Sequence, residues 1–103
     1  MLICMDFDNT YTKDKTLFDS FIKFAQELGH EVICCTMRNE EEGEWIEETI
    51  GNYCKIYYSD RQAKKPYLES IDIFPDIWIE DKPEFILMDA ADVKDRPGFA
   101  KEE

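Results

Sequence analysis

Two aspartates separated by a single residue, Asp6 and Asp8, follow a short apolar run at the start of the chain. Other chemically reactive residues follow later apolar runs: Thr36, Ser59, Asp60, Lys64, Lys65, Glu80 and Asp81. Clustered carboxylates repel one another unless a cation lies between them, and Mg²⁺ prefers such hard oxygen ligands. A carboxylate can also attack phosphorus or move a proton, while a lysine and a hydroxyl can hold phosphoryl oxygens. These residue types are therefore the ones that phosphoryl transfer needs.

The positions of these residues depend on the strands that precede them. Buried strands are predicted by four short apolar runs, at residues 2–5, 32–35, 56–58 and 77–79. Residues 85–88 fit either a short helix or a fifth strand at an edge of the sheet.

Helices are predicted between the apolar runs, because apolar residues recur there at helical spacing. The first helix is ended by Gly29, and its apolar positions are Leu17, Phe18, Phe21, Ile22, Phe24, Ala25 and Leu28. Asn39 can cap the second, which carries a buried stripe of Trp45, Ile46, Thr49 and Ile50 and ends at Gly51. The third begins near Pro66, because proline fits the first helical turn.

The element order β-α-β-α-β-α-β, with strands that are apolar throughout, predicts an α/β fold with a parallel sheet covered on both faces. Right-handed crossovers make it a doubly wound, Rossmann-type sandwich of four to five strands. Residues 1–89 are predicted to form one domain, and residues 90–103 a polar, flexible tail. Ligands of such sheets bind outside the carboxyl ends of the strands, where the polar residues lie.

Four motifs in this order resemble those of the haloacid dehalogenase superfamily, in a minimal form without a cap domain. Asp6-Phe7-Asp8-Asn9-Thr10 is similar to the family's DxDxT signature, and Thr36 matches the hydroxyl residue that ends the next strand. Lys65-Pro66 is similar to the third motif, and Glu80-Asp81 to the acidic pair of the fourth. The resemblance covers residues 2–81. Each motif alone is common, whereas all four in the right order are specific.

The resemblance implies an Mg²⁺-dependent phosphohydrolase that works through an aspartyl-phosphate intermediate. Asp6 is then the nucleophile and a metal ligand, and Asp8 is the general acid and base, with its backbone carbonyl completing the metal site. Asp81 is implied as a metal ligand, assisted by Glu80 directly or through water. An aspartate at position 8 favours phosphate chemistry over dehalogenation, because the dehalogenases of the family lack that acid.

The same resemblance implies that Thr36 and a lysine bind the phosphoryl group, while Thr10 braces the loop. Lys64 competes with Lys65 for the lysine role, and the following Pro66 favours Lys65. Other positions have simple structural interpretations: Thr36 as a helix cap, Glu80 as a solvated acid, Ser59 and Asp60 as turn residues. Lys13 and Arg38 lie in loops near the predicted site and are expected at the solvated surface.

The chain departs from the family in the segments where a cap domain is usually inserted. Fewer than ten residues separate Asp8 from the first helix, and Thr36 to Lys65 holds only one helix and one strand. The site is therefore expected to be open, which in this family accompanies large or macromolecular phosphorylated substrates.

Composition limits the partners further. The chain of 103 residues has 24 acidic and 12 basic residues and a formal charge of −12, which disfavours binding to long nucleic acids. The four cysteines have neither CxxC nor zinc-ligand spacing, which favours buried, reduced thiols. We expect a cytoplasmic location and no membrane association, since no signal peptide or long apolar run is visible. The oligomeric state is left open.

Two alternatives use the same fold. A signalling receiver domain also needs acids, Mg²⁺, a hydroxyl and a lysine, and would make Asp60 the phosphoacceptor. The order of Thr36 and Lys65 is wrong for that domain, since both should follow the acceptor. The second alternative is a non-catalytic binding module that has kept the fold, although the four motifs are intact.

Overall fold

The sheet has the predicted parallel arrangement. The computed structural model describes residues 1–93, and within them four parallel strands are hydrogen-bonded in the order β3-β2-β1-β4. The strands are β1 (Leu2–Met5), β2 (Glu31–Thr36), β3 (Lys55–Tyr58) and β4 (Ile77–Ile79). Because β1 lies between β2 and β4, the polar residues that follow β1 and β4 leave the sheet side by side.

Helices flank the sheet and confirm the α/β, Rossmann-like fold. The described helices are α1 (Lys15–Glu27), α2 (Glu44–Glu48), α3 (Lys64–Glu69), α4 (Glu84–Leu87) and α5 (Ala90–Val93). Ile22 of α1 and Ile46 of α2 pack in one core with Ile3 and Met5 of β1. Leu68 of α3 packs in a second core with the neighbouring β-strands. The sheet is thus covered by α1 and α2 on one face and by α3 on the other.

Alternation along the strands divides the core, because successive side chains point to opposite faces. Ile3 and Met5 contribute to the first core, and Cys4, which lies between them, contributes to the second. All four cysteines are free thiols, as predicted, and three of them are buried. Burial raises the pKa of the Cys54 thiol to about 12, so this thiol is protonated at neutral pH.

The first helix buries less of its apolar surface than its spacing predicts. α1 is capped by the Asp14 side chain, which accepts from the amide of Leu17 at 3.0 Å, and the chain turns at Gly29 with φ of 90°. Ile22 and Ala25 are buried, whereas four other apolar side chains of the predicted stripe are exposed. These are Leu17, Phe21, Phe24 and Leu28. The apolar surface is therefore wider than the stripe that the sheet covers.

The second helix is shorter than predicted. Asn39 forms a capping box with Glu42, but the element that it caps is a 3₁₀ turn, Glu40–Glu42, and α2 begins only after Gly43. A side chain at Gly43 would overlap the Tyr58 ring, so this close approach favours glycine at the boundary between the 3₁₀ turn and α2. Trp45, predicted to be buried, is 47% exposed.

The C-terminal part of the described chain is helical. Residues 85–88 belong mostly to α4, which decides between the two predicted alternatives in favour of the helix. Ala90–Val93, placed in the predicted tail, forms α5, and the rest of that tail lies outside the described residues. Across residues 1–93, the helices lack the combination of length and apolar character that crossing a bilayer requires.

The two faces of α1 give a direct test of this packing. Ile22→Ala should lower the free energy of unfolding by about 2–5 kcal/mol, because it leaves a cavity between α1 and the sheet. Phe24→Ala, which removes a larger but exposed side chain from the same helix, should change it by less than about 1 kcal/mol. Urea denaturation of both variants measures this difference. Equal losses would contradict the described orientation of α1.

Candidate functional site

Phe7 places the two aspartates of the first loop. Its ring is fully buried, stacks on Tyr11 with centroids 5.7 Å apart, and meets Trp45 edge-on at 5.0 Å. The amide of Asp6 donates to the carbonyl of Ile79 at 2.9 Å, which extends the pairing of β1 with β4. With Phe7 anchored in the core between them, Asp6 and Asp8 are both held at the carboxyl edge of the sheet.

A buried lysine joins this loop to the fourth strand. The Lys64 ammonium lies 2.7 Å from Asp6 Oδ1 and 2.5 Å from Glu80 Oε1, and the lysine side chain is only 2% exposed. Lys64 is the first residue of α3. The ammonium therefore links β1, α3 and β4 at one point.

Thr10 forms a second link between the same loops. Its hydroxyl lies 3.0 Å from Asp6 Oδ2 and accepts a hydrogen bond from the backbone amide of Asp81 at 3.1 Å. Asn9, with φ of 62°, makes the left-handed turn that precedes Thr10. The predicted bracing position of Thr10 is therefore present in the structure.

The electrostatics of the cluster favour an additional cation. Burial raises the pKa of Asp6 to about 8; the Lys64 ammonium lowers it, while the nearby Glu80 carboxylate raises it. Burial also raises the pKa of Glu80. Although burial lowers the pKa of Lys64, the two carboxylates raise it more strongly, so the ammonium stays charged. One ammonium is therefore not enough to keep both buried carboxylates ionised at neutral pH, and a bound cation would favour their ionised forms.

Three carboxylates can share a metal ion. Asp6, Glu80 and Asp81 each offer one oxygen, and these oxygens lie within 4.8 Å of one another. When ionised, these groups and the Lys64 ammonium carry a formal charge of −2, which a divalent cation would balance. Hard oxygen ligands and this charge suit Mg²⁺. The side chain of Asp8 is not part of the group, and its predicted contribution to metal binding came from the backbone carbonyl.

The carboxylate of Asp8 is instead paired with an arginine. Arg38 donates from Nη2 to Asp8 Oδ1 at 2.6 Å and from Nε to Oδ2 at 3.0 Å. A hydrogen bond from Nη1 to the carbonyl of Glu42 at 3.1 Å also holds the guanidinium, which lies 5.7 Å from the centre of the Phe7 ring. Hydrogen bonding to Asp8 raises the pKa of Arg38.

These groups lie in an open cleft of about 920 Å³ at the carboxyl edge of the sheet. Its lining includes Asp6, Asp8, Thr36, Lys64, Glu80 and Asp81. Thr36 is buried at the end of β2, where its hydroxyl accepts from the amide of Arg38 at 3.2 Å. The cleft thus brings together the predicted carboxylates, the predicted hydroxyl and one of the two lysines.

Lys65 is exposed and does not line the cleft, contrary to the expectation drawn from Pro66. The physical reason is the start of α3: it begins at Lys64, so Pro66 occupies the third helical position and not the first. The buried first residue faces the cluster, and the second faces solvent. Lys64, the alternative, occupies the predicted lysine position.

The loop after β3 lies beside the cleft, and its residues have mainly structural roles. Ser59 is buried and donates to the carbonyl of Gln62 at 2.8 Å, as expected for a turn residue. Asp60 and Arg61 both have positive φ, and Asp60 is exposed. Arg61 lines the cleft and forms an ion pair with Glu42 at 2.9 Å.

Sequence reasoning placed Arg38 at the solvated surface, and it missed Arg61 and Glu42. The available signal was position: Arg38 follows Thr36 by two residues, which keeps it at the same edge of the sheet. Lys13, the other loop cation considered, does not line the cleft. Arg38 is therefore the main addition of the structure to the predicted site.

Comparison of the chain with protein-family models, curated proteins and solved structures found no match. The function must therefore be argued from the chemistry of the cleft.

The raised pKa of Asp6 predicts a pH-dependent stability in metal-free protein. Between its ordinary pKa of 3.8 and about 8, the unfolded chain has released a proton that folded Asp6 retains. Stability should therefore fall as pH rises through this window, by at most about 1.4 kcal/mol per pH unit. Asp6→Asn removes this titration. In EDTA, the stability of the variant relative to wild type should rise from pH 4 to 8 and then level off.

Denaturation at several pH values measures that difference, with the same series in Mg²⁺ as the control. Bound Mg²⁺ should stabilise the wild type more strongly at pH 8 than at pH 5, because it favours the ionised carboxylates. Parallel stability curves for the two proteins in EDTA would contradict the raised pKa.

Proposed function

We propose that this protein is an Mg²⁺-dependent phosphohydrolase that cleaves phosphomonoesters through an aspartyl-phosphate on Asp6. The observation that carries the proposal is the buried ammonium of Lys64 between Asp6 and Glu80, next to Asp81, at the base of an open cleft. A carboxylate with a buried cation beside it and a metal-ligand set around it suits attack on a phosphoryl group. The motifs that resemble the haloacid dehalogenase superfamily support the same assignment, with Lys64 in place of Lys65 at the third.

In the first step, a carboxylate oxygen of Asp6 attacks phosphorus and the bond from phosphorus to the leaving oxygen breaks. Asp8 donates a proton to that oxygen. Lys64 and Thr36, which both line the cleft, stabilise the phosphoryl oxygens. Mg²⁺ held by Asp6, Glu80 and Asp81 would offset the negative charge of the phosphoryl group.

In the second step, water attacks the phosphorus of the aspartyl-phosphate, and the bond from phosphorus to the Asp6 oxygen breaks. That cleavage regenerates the carboxylate of Asp6 and releases inorganic phosphate, while Asp8 accepts the proton of the water and is again ready to act as the acid. Thr10, bonded to Asp6 and to the amide of Asp81, holds the nucleophile in place during both steps.

Two further features bear on the choice of function and substrate. Asp60, the phosphoacceptor of the receiver alternative, is exposed and outside the cleft lining, which favours Asp6 as the reacting carboxylate. The openness of the cleft favours phosphorylated substrates that extend beyond it, including macromolecules. A cytoplasmic location is part of the proposal, because four free thiols suit a reducing compartment.

Hydrolysis of an aryl phosphate in Mg²⁺ tests this function. Wild-type protein should release inorganic phosphate, EDTA should stop the reaction, and Asp6→Asn should abolish it because the nucleophile is lost. A panel of phosphomonoesters then ranks substrates by kcat/KM. Folded, Mg²⁺-loaded wild-type protein without turnover of any phosphomonoester would count against a phosphatase and leave the non-catalytic binding module.

The two adjacent lysines offer a matched pair of variants. Lys64→Met keeps most of the buried volume but removes the ammonium, and should lower kcat/KM by about 10²-fold or more. Lys65→Ala should leave kcat/KM close to wild type, because that side chain is exposed outside the cleft. Steady-state measurement of kcat/KM for both variants shows which lysine the reaction uses. Thermal unfolding confirms that both variants fold. A larger loss in Lys65→Ala would reverse the assignment.

A further inference from the structure

The ion pair between Arg38 and Asp8 has the geometry of a positioning contact. Both oxygens of the Asp8 carboxylate accept from one planar guanidinium, at 2.6 and 3.0 Å, which fixes the rotation of the carboxylate as well as its position. The side chains of Arg38 and Asp8 are only 30% and 44% exposed. Arg61 forms a similar fork with Glu42. What distinguishes the Arg38 fork is therefore that its carboxylate belongs to Asp8, the proposed general acid and base.

Arg38 is itself held on several sides. Its Nη1 donates to the carbonyl of Glu42, its guanidinium lies over the buried Phe7 ring, and its backbone amide donates to the hydroxyl of Thr36. Phe7 is the residue between Asp6 and Asp8. The arginine therefore contacts both the loop that carries the two aspartates and the end of β2.

The fork leaves Asp8 able to move protons. A carboxylate has about four lone-pair sites, and the two hydrogen bonds from Arg38 use only two of them. Asp8 lines the cleft, so its remaining sites are within reach of a leaving group or a water molecule. Fixing the carboxylate removes the entropy cost of orienting it at each proton transfer.

We propose that Arg38 is a positioning residue that orients Asp8 for proton transfer. The role rests on the proposed function and assigns to that site a residue outside the four motifs. Arg38 acts through Asp8, so its effect should appear only in steps that use Asp8. An arginine that instead holds the substrate would act independently of Asp8.

A double-mutant cycle of Arg38→Ala and Asp8→Asn tests this role, with alkyl phosphate and 2,4-dinitrophenyl phosphate as substrates. Arg38→Ala should lower kcat on the alkyl phosphate by about 10²-fold with little change in KM, since general acid–base catalysis contributes at least this much. The loss in single-turnover cleavage of the dinitrophenyl ester should be much smaller, because that leaving group departs without a proton. In the Asp8→Asn background, Arg38→Ala should have almost no further effect on either substrate.

Two more variants separate positioning from charge and from folding. Arg38→Lys keeps the positive charge but cannot form the fork, so it should recover only a small part of kcat. Arg61→Ala removes the other cleft-lining arginine described here, which pairs with Glu42 and not with Asp8. The effect of Arg61→Ala on kcat should be equal in the wild-type and Asp8→Asn backgrounds. Thermal unfolding midpoints identify any variant that fails to fold.

The outcomes are distinct. A higher KM, an equal loss on both substrates, or a loss that persists in Asp8→Asn would overturn the positioning role and make Arg38 a substrate-binding residue. In those cases the phosphohydrolase proposal survives, because the wild type still turns over. Absence of wild-type turnover on both esters would overturn the phosphohydrolase and the role of Arg38 together.

Discussion

The buried ammonium of Lys64 is the interaction on which the rest of the structure depends. A charged group in a protein interior is costly unless it is paired, and Lys64 is paired with both Asp6 and Glu80. These three residues come from elements far apart in the chain, so the ammonium fixes the relative positions of β1, α3 and β4. With Asp81 beside them, the carboxyl groups at this edge of the sheet outnumber the ammonium and offer three oxygen ligands that a cation could share.

Phe7 has a comparable effect on the loop that carries the two aspartates. Its buried ring contacts Tyr11 and Trp45 and also lies beneath the guanidinium of Arg38. One aromatic side chain therefore anchors the loop in the core and supports the partner of Asp8. This explains how a short loop can hold two carboxylates in different environments: Asp6 buried beside a lysine, Asp8 half-exposed beside an arginine.

The sequence was sufficient for the sheet and for most of the residues at its edge, because apolar runs and the polar residues after them are local signals. It was less informative where tertiary contacts determine the start of a helix or the burial of a side chain. The choice between Lys64 and Lys65 depends on which residue begins α3, and Pro66 fits either start. Trp45 has helical spacing, but α2 begins only after Gly43 and the indole is half-exposed. Arg38 belongs to no recognisable sequence motif, because its partner Asp8 lies thirty positions away in the chain.

The order of the strands also determines when the charged cluster can form. β4 follows β1, β2 and β3 in the chain but pairs with β1, so Glu80 reaches Asp6 only after the chain has crossed back over the sheet. Before that crossing, Lys64 lacks one of its two carboxylate partners and gains less by leaving water. During folding or synthesis, the cluster of Lys64 with its two carboxylates would therefore be completed only when β4 docks, and a partly folded chain would carry the carboxylates without the geometry that joins them.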